Sequence, residues 1–386
     1  MGRRQQLAKA ASALTVLAAG CAGVTARLDT HLSAVRAPAG KILDQPGQPA
    51  GFADHPGRLG GTSALVAPGG TAPSQVSTAS GQGVVLSQPG RALPPPDVLQ
   101  PLLSPASPGE GEWQPAGRWV NGYPAVYVTT LRADGGPPNP AAGLAWIDTR
   151  LVRATLYSGS GSPGGGPWRY SAPISAAEAQ MLVCAFNGGF KMGDARGGYY
   201  AEDRTVVPLV KGSASFVIYR DGSFALGAWG RDVTMTADVV AVRQNLTLLV
   251  DGGQPVAGLY PGDAAVWGST LGHVPHVFRS GLGMRGDGSL VYVAAPSLDV
   301  VQLAHLLARA GSVRAMELDI NPMWPTFATY APPPGQPAGS GNGTDLLASM
   351  AGGPGRFFTP SWGRDFVTMS AREVSASNHR QFVPRF

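Results

Sequence analysis

Hydrophobic and polar residues alternate most regularly along residues 314–321, Arg-Ala-Met-Glu-Leu-Asp-Ile-Asn. Successive side chains of a β-strand point to opposite faces, so the pattern predicts a strand with one apolar and one polar row. The apolar row is Met316, Leu318 and Ile320, and the polar row is Glu317, Asp319 and Asn321. Pro322 ends the pattern, and an aromatic-rich loop follows. The polar row is therefore expected to end at a cleft that suits a sugar.

Two β-hairpins are predicted where an Asp-Gly pair lies between two apolar runs. The first joins residues 215–219 to 223–228, and the second joins residues 281–284 to 289–294. Asp251-Gly252-Gly253 follows another apolar run and is interpreted as a further turn. Hairpins of this kind indicate antiparallel pairing.

Residues 298–310 give the clearest helical period, with apolar positions spaced three and four apart and Gly311 as the stop. Residues 175–178, Ser-Ala-Ala-Glu, resemble a capping box that opens a short helix before the buried strand 181–186. Strands dominate the pattern. The predicted class is α+β, with a mixed, mainly antiparallel sheet, hairpins and a few packed helices in a single catalytic domain.

The N-terminal part of the chain is predicted to direct it out of the cytoplasm. Residues 1–26 combine a basic start with an apolar run typical of a signal peptide or N-terminal anchor. Cleavage after Ala26, a lipid on Cys21 and an uncleaved anchor all remain open. Residues 27–112 are rich in Pro, Gly and Ala and are interpreted as a disordered tether for a domain over residues 113–386. We expect a secreted protein or one on the extracellular membrane face.

The composition of the chain indicates which classes of binding partner to expect. The net charge of +5 is spread along the chain, so it favours phosphorylated glycans over nucleic acid. The chain has two cysteines, one of them in the targeting segment, so no disulfide framework is expected. We expect no metal and no cofactor, membrane contact only through the N-terminal segment, and leave the oligomeric state open.

Four features in order resemble the phosphodiester glycosidase family. They are Asn187-Gly188-Gly189-Phe190 after a buried strand, the first hairpin, Arg279 just before the second hairpin, and Leu318-Asp319 at a strand end. The likeness covers about residues 185–365. The family usually continues its Leu-Asp motif with two glycines, whereas this chain has Ile320-Asn321-Pro322. This departure bears on the identity of the substrate.

The resemblance implies a hydrolase that cleaves sugar-1-phosphodiesters in cell-wall or extracellular glycans. The phosphate group that departs from such a substrate is a weak base and leaves easily, so the site needs a carboxylate and cations more than a strong acid. The resemblance implies that Asp319 is the base or nucleophile and that Glu317 is its partner. Arg279 would bind the phosphate, with Arg196 and Arg243 as further cations. The residues implied to contact the sugar are Asn187, Gly188, Gly189 and Asn321.

Structural alternatives exist for each role. Asn187 could form a turn with its glycines, Arg279 and Glu317 could be ion-paired, and Asp319 could hold a structural hydrogen bond. The alternative function is a non-catalytic glycan-binding module on a disordered stalk. The two functions are distinguished by whether Asn187, Arg279 and Asp319 meet in one pocket.

Overall fold

The structure, a computed structural model, describes residues 85–87, 89–360 and 362–372 of the 386-residue chain. The predicted signal or anchor segment and residues 27–84 of the predicted tether lie outside these residues. The described residues from 85 onward form one compact unit in which strands are the main regular secondary structure.

The described residues form eighteen strands. In chain order they are β1 (Gln114–Val120), β2 (Tyr123–Arg132), β3 (Ala141–Ile147), β4 (Val152–Tyr157), β5 (Leu182–Asn187), β6 (Tyr199–Ala201), β7 (Arg204–Val207), β8 (Ala214–Tyr219), β9 (Phe224–Ala228), β10 (Val239–Gln244), β11 (Leu248–Asp251), β12 (Gln254–Pro255), β13 (Val277–Arg285), β14 (Leu290–Leu298), β15 (Ser312–Glu317), β16 (Phe327–Tyr330), β17 (Gly343–Asp345) and β18 (Phe366–Ala371).

Helices are few and short in the same part of the chain. The α-helices are α1 (Ala176–Ala179), α2 (Ala264–Trp267) and α3 (Val300–Arg309), and single 3₁₀ turns cover Leu271–His273, Ser340–Asn342 and Arg356–Phe358. Within the described ranges, no helix has the length and apolar character needed to cross a membrane.

Three antiparallel sheets make up the fold. The largest has the order β1-β2-β3-β14-β13-β15-β11-β12, the second β7-β6-β10-β8-β9 and the third β17-β16-β5-β18-β4. Both predicted Asp-Gly hairpins are confirmed as β8–β9 and β13–β14, and β11–β12 forms around Asp251-Gly252-Gly253. A mainly antiparallel single domain with few helices is thus confirmed.

The large sheet is covered on both faces, as β14 illustrates. Leu290 and Tyr292 point to a core shared with residues of the two smaller sheets, whereas Val291 and Val293 pack in a second core with α3. Because both faces exclude water, the strands in the middle of this sheet are apolar or carry paired polar groups.

Helix α3 confirms the predicted helix, although it begins at Val300 rather than residue 298. Asp299 accepts a hydrogen bond from Gln302 N at 2.7 Å, and the Gln302 side chain accepts one from Asp299 N at 3.2 Å. This capping box starts the helix after the strand has ended. Gly311, with φ of 87°, ends it in the left-handed conformation that glycine adopts without strain.

The alternating segment differs from its prediction in two ways. Strand β15 ends at Glu317, and the residues from Arg314 to Ile320 are all buried, so the polar row does not face water. The reason is position: β15 lies between β13 and β11 in the middle of the large sheet. Alternation reports which residues share a face, but not whether solvent reaches that face.

The boundary predicted at residue 112 also differs from the structure. Ser87 N donates to Phe224 O at 3.0 Å, Leu93 N donates to Asp148 Oδ2 at 2.7 Å, and Leu93 and Leu99 pack against the core under α3. The last part of the predicted tether therefore belongs to the domain. The few apolar side chains of this segment are enough to hold it in place, because they pack against a core that the rest of the domain forms.

This packing leads to a stability prediction. A chain that starts at residue 113 should unfold at a temperature roughly 5–10 °C lower than one that starts at residue 85, because it loses two partly buried leucines and their hydrogen bonds. Thermal unfolding followed by circular dichroism measures the difference. Equal midpoints for the two chains would show that residues 85–112 add nothing to the fold.

Candidate active site

The chain turns away from the large sheet at Asp319. Pairing with β13 continues just past the strand, since Leu318 N donates to Ser280 O at 2.8 Å and Ser280 N donates to Asp319 O at 3.1 Å. Asp319 Oδ1 then accepts from Asn321 N at 2.9 Å, and Asn321 Oδ1 accepts from Met323 N at 3.1 Å. These two consecutive turns, with Pro322 between them, lead the chain out of the sheet.

A cavity of about 540 Å³ opens at this point. We call it the outer cavity, and its charged and aromatic lining residues are Phe190, Lys191, Asp194, Arg196, Asp319, Trp324 and Arg364. Lys191, Asp194 and Arg196 are exposed on the loop between β5 and β6, whereas Asp319 and Arg364 are buried. The cavity thus combines two exposed cations and one exposed carboxylate, Asp194, at its rim with a buried ion pair at its floor.

Asp319 and Arg364 form that ion pair through Oδ2 and Nη2. The same Nη2 donates to Gly189 O at 2.9 Å, and the guanidinium lies 4.7 Å from the ring centroid of Trp324. Burial raises the pKa of the Asp319 carboxyl, and the charge of Arg364 opposes this rise. The guanidinium therefore holds a mostly desolvated carboxylate in one orientation.

Asn187 lies at the end of β5 with its amide fully engaged. Its Nδ2 donates to Ser280 Oγ at 3.2 Å, and its Oδ1 accepts from Tyr292 Oη at 2.9 Å and from Thr326 N at 3.0 Å. These contacts connect β5 to β13, β14 and the start of β16. In this structure the amide of Asn187 positions strands.

Gly188 and Gly189 are required by close packing. A Cβ on Gly188 would lie 1.9 Å from Asp365 Oδ2, and one on Gly189 would lie 2.7 Å from Asn245 Oδ1. Neither glycine has the positive φ that would need a left-handed conformation. The glycines therefore let the loop approach a buried carboxylate and a buried amide.

Arg279 and Glu317 form a second buried pair, with 2.6 Å between Nη1 and Oε1. Arg279 also donates to the carbonyls of Leu298 and Pro275, and neither member of the pair lines the outer cavity. Burial raises the pKa of Glu317 to about 7, against the opposing effect of Arg279. The pair lies behind the cavity wall, because Arg279 Nη1 is 3.5 Å from the carbonyl of Trp267, the neighbour of the lining residue Gly268.

Arg243 makes a third buried pair, with 2.7 Å between its Nε and Asp365 Oδ2. Its Nη1 donates to Gln244 O at 2.5 Å, and its Nη2 donates to Phe190 O. The guanidinium of Arg243 is thus bonded to protein groups through all three of its nitrogens. Arg243 supports the loop beneath the cavity and does not line the outer cavity.

The structure therefore separates the predicted site residues into groups. Asp319, Asn321 and Arg196 line the outer cavity. Asn187, Gly188, Gly189 and Asp319 line a small adjoining space, which we call the inner cavity. Glu317, Arg279 and Arg243 line neither. Asn187 and Asp319 thus meet in the inner cavity, whereas Arg279 lines neither cavity. Only two of the three residues that the enzyme prediction required in one pocket are therefore found together.

Sequence reasoning missed Arg364, which lines both cavities. Trp324 also lines both, and it belongs to the aromatic-rich loop at which the sequence predicted a cleft. One available signal was Gly363-Arg364-Asp365, where two opposite charges directly precede the apolar strand β18. Among the residues that the structure describes, no group of three or more His, Cys, Asp or Glu side chains is placed to hold a metal ion.

Comparisons with known proteins give a weak likeness of fold. No family model and no curated protein matches the chain. The catalytic domain of zebrafish N-acetylglucosamine-1-phosphodiester alpha-N-acetylglucosaminidase, auto-inhibited by its pro-peptide, is similar at 16% identity and a TM-score of 0.38, over 68% of this chain and 88% of that one. A hypothetical protein from Synechocystis is similar at 10% identity and a TM-score of 0.36, over 67% and 64% of the two chains. The roles of residues must therefore rest on this chain's own geometry.

The buried pair of Arg279 and Glu317 leads to a double-mutant prediction. Arg279→Met or Glu317→Leu alone should lower the free energy of unfolding by about 3–5 kcal/mol, because each leaves a buried charge without its partner. The double variant should lose clearly less than the sum of the two. Urea unfolding of the four proteins measures this, and strictly additive losses would show that the two charges do not interact.

Proposed function

We propose that this protein is a hydrolase of sugar-1-phosphodiesters, with its reaction centre at Asp319. The observation that carries the proposal is the ion pair of Asp319 and Arg364 at the floor of a 540 Å³ cavity rimmed by Lys191 and Arg196. A buried carboxylate beneath exposed cations matches what the bond to be cleaved requires.

The chemistry assigns a different task to each part of the cavity. The anomeric carbon develops positive charge in the transition state, and the nearby carboxylate of Asp319 stabilises that charge. Lys191 and Arg196 are accessible and bind the anionic phosphodiester, the task that the sequence had suggested for Arg279. Trp324, half-buried beside Arg364, offers a flat apolar surface for a sugar ring.

The substrate class follows from the same reasoning together with the N-terminal sequence. A basic start followed by an apolar run is typical of export, so we propose that the hydrolase acts on cell-wall or extracellular glycans. Polymers of this kind carry the phosphodiester charges that the rim cations would bind. This charge pattern accounts for binding of the phosphodiester. It does not identify the sugar or the group on the other side of the phosphate.

A glycan-binding module without catalysis is the second candidate, and one observation favours it. Both oxygens of the Asp319 carboxylate already accept a hydrogen bond, from Asn321 N and from Arg364 Nη2. These two bonds oppose the rise in pKa that burial causes, so the carboxylate is a weaker base than it would be without them. Such an arrangement can orient a sugar without reacting with it.

Turnover of a sugar-1-phosphodiester separates the two candidates. Asp319→Asn keeps the size of the side chain but removes its charge, so we expect kcat to fall by about 100-fold or more. Asp97→Asn, at an exposed position far along the sequence, is the matched control and should keep wild-type turnover. The assay follows release of free sugar from UDP-N-acetylglucosamine and from methyl-phospho-N-acetylglucosamine.

Running the same assay in ¹⁸O-labelled water identifies the bond that breaks. Cleavage at the anomeric carbon places the label in the sugar hydroxyl, as the proposal requires. Label in the phosphate would mean attack on phosphorus and would rule out a glycosidase. Measurable glycan binding with no wild-type turnover on α- or β-linked substrates would favour the binding module instead.

A further inference from the structure

The inner cavity lies directly beside the Asp319 carboxylate. Its volume is about 10 Å³, close to the space that a single water needs. Asn187, Asp319, Thr326, Arg364 and Asp365 are its polar lining residues. Asp319, Trp324 and Arg364 line both cavities, so a water in the inner cavity would lie next to any group bound against Asp319 in the outer one.

Two buried polar atoms in this lining lack a hydrogen-bond partner among the described residues, namely Thr326 Oγ1 and Arg364 Nε. Thr326 is 1% exposed and Arg364 is 7% exposed, so bulk solvent does not compensate for the missing bonds. A buried polar atom without a partner destabilises the fold, and one ordered water would supply the missing hydrogen bond.

The donors and acceptors in the lining match those of a water molecule. Arg364 Nε can donate to the water oxygen, and the Thr326 hydroxyl can donate or accept. The Asp319 carboxylate can accept a hydrogen bond from one water O–H, and the Thr326 hydroxyl or the Asp365 carboxylate can accept one from the other. With Arg364 Nε on one lone pair of the water oxygen, the second lone pair stays free to attack a carbon in the outer cavity.

We propose that Thr326 is a positioning residue that holds the attacking water of the hydrolysis in the inner cavity, with Asp319 as its base. This inference rests on the proposed function. The water oxygen forms a bond to the anomeric carbon while the bond from that carbon to the phosphate oxygen breaks, and its electron pair leaves with the phosphate monoester. Asp319 accepts the water proton and later releases it to solvent.

Direct attack by this water has a stereochemical consequence. Water enters from the inner cavity and the phosphate leaves toward the rim cations Lys191 and Arg196 of the outer cavity. Entry and departure on opposite sides of the anomeric carbon invert its configuration. The first-formed product should therefore be the anomer opposite to that of the substrate.

The test replaces the hydroxyl without changing the volume. Thr326→Val should lower kcat by about 10-fold or more and leave KM within about twofold, because the water and not the substrate is misplaced. Thr326→Ser keeps a hydroxyl and should retain most of kcat. Thr368→Val replaces another buried threonine, one that lines neither cavity, and should behave as wild type.

Proton NMR of the reaction with wild-type protein gives an independent readout that needs no variant. Inversion in the first turnovers supports the proposal, and retention overturns it. Wild-type kcat in a folded Thr326→Val variant also overturns it while leaving the proposed function in place. No wild-type turnover on any phosphodiester would instead reject the proposed function, and this inference with it.

Discussion

Buried arginine–carboxylate pairs are the constraint on which this structure depends. A charge removed from water costs several kcal/mol unless a partner compensates it, so each pair fixes the elements that carry it. Arg243 at the end of β10 pairs with Asp365 just before β18, and Arg364 pairs with Asp319 just after β15. Each of these four residues lies in or next to one of the strands β10, β15 and β18, and each of those strands belongs to a different sheet. The sheets are therefore joined at one polar point within an apolar core.

The same point fixes the loop that follows β5. Arg364 donates to Gly189 O, Arg243 donates to Phe190 O, and Asn245 Oδ1 accepts from Phe190 N at 3.0 Å. Asn245 Nδ2 in turn donates to Glu317 O at 2.8 Å. The loop and the end of β15 are thus held by shared partners. Asp319 is placed by the packing of the sheets before any ligand binds, which is the preorganisation that electrostatic catalysis requires.

Local signals explain how much of the fold could be predicted. The Asp-Gly turns and the capping box at α3 each act over a few residues, so their sequence patterns sufficed. The polar alternation predicted Glu317 and Asp319 in one row, but β15 ends at Glu317 and only Asp319 lines the cavities. The alternation also could not show that Glu317 would be buried against Arg279. The face of β15 that carries Glu317 is covered by α3 and by the segment around Trp267. The alternation along one strand gives no information about such neighbours.

The candidate site was predictable only where a strand end coincided with a polar motif, as at Asp319 and Asn187. Arg364 lies 45 residues beyond Asp319 and Asp365 lies 122 residues beyond Arg243. Such pairs form because unrelated strand ends meet in space, and a single sequence carries no local signal of that meeting. Arg279 shows that a local signal can also mislead. Its position before a hairpin suggested that it contacts a phosphate, but in the structure it is buried and pairs with Glu317.

A crystal structure of the protein with a bound, uncleaved sugar-1-phosphodiester tests the central claim most directly. We expect the phosphate within hydrogen-bond distance of Lys191 or Arg196, the anomeric carbon beside residue 319, and a water in contact with Thr326. A second cavity of about 470 Å³ lies between β4 and β8 and is lined by Arg153, Arg169 and Arg220. Ligand bound there, with the outer cavity at Asp319 filled only by solvent, would contradict the account.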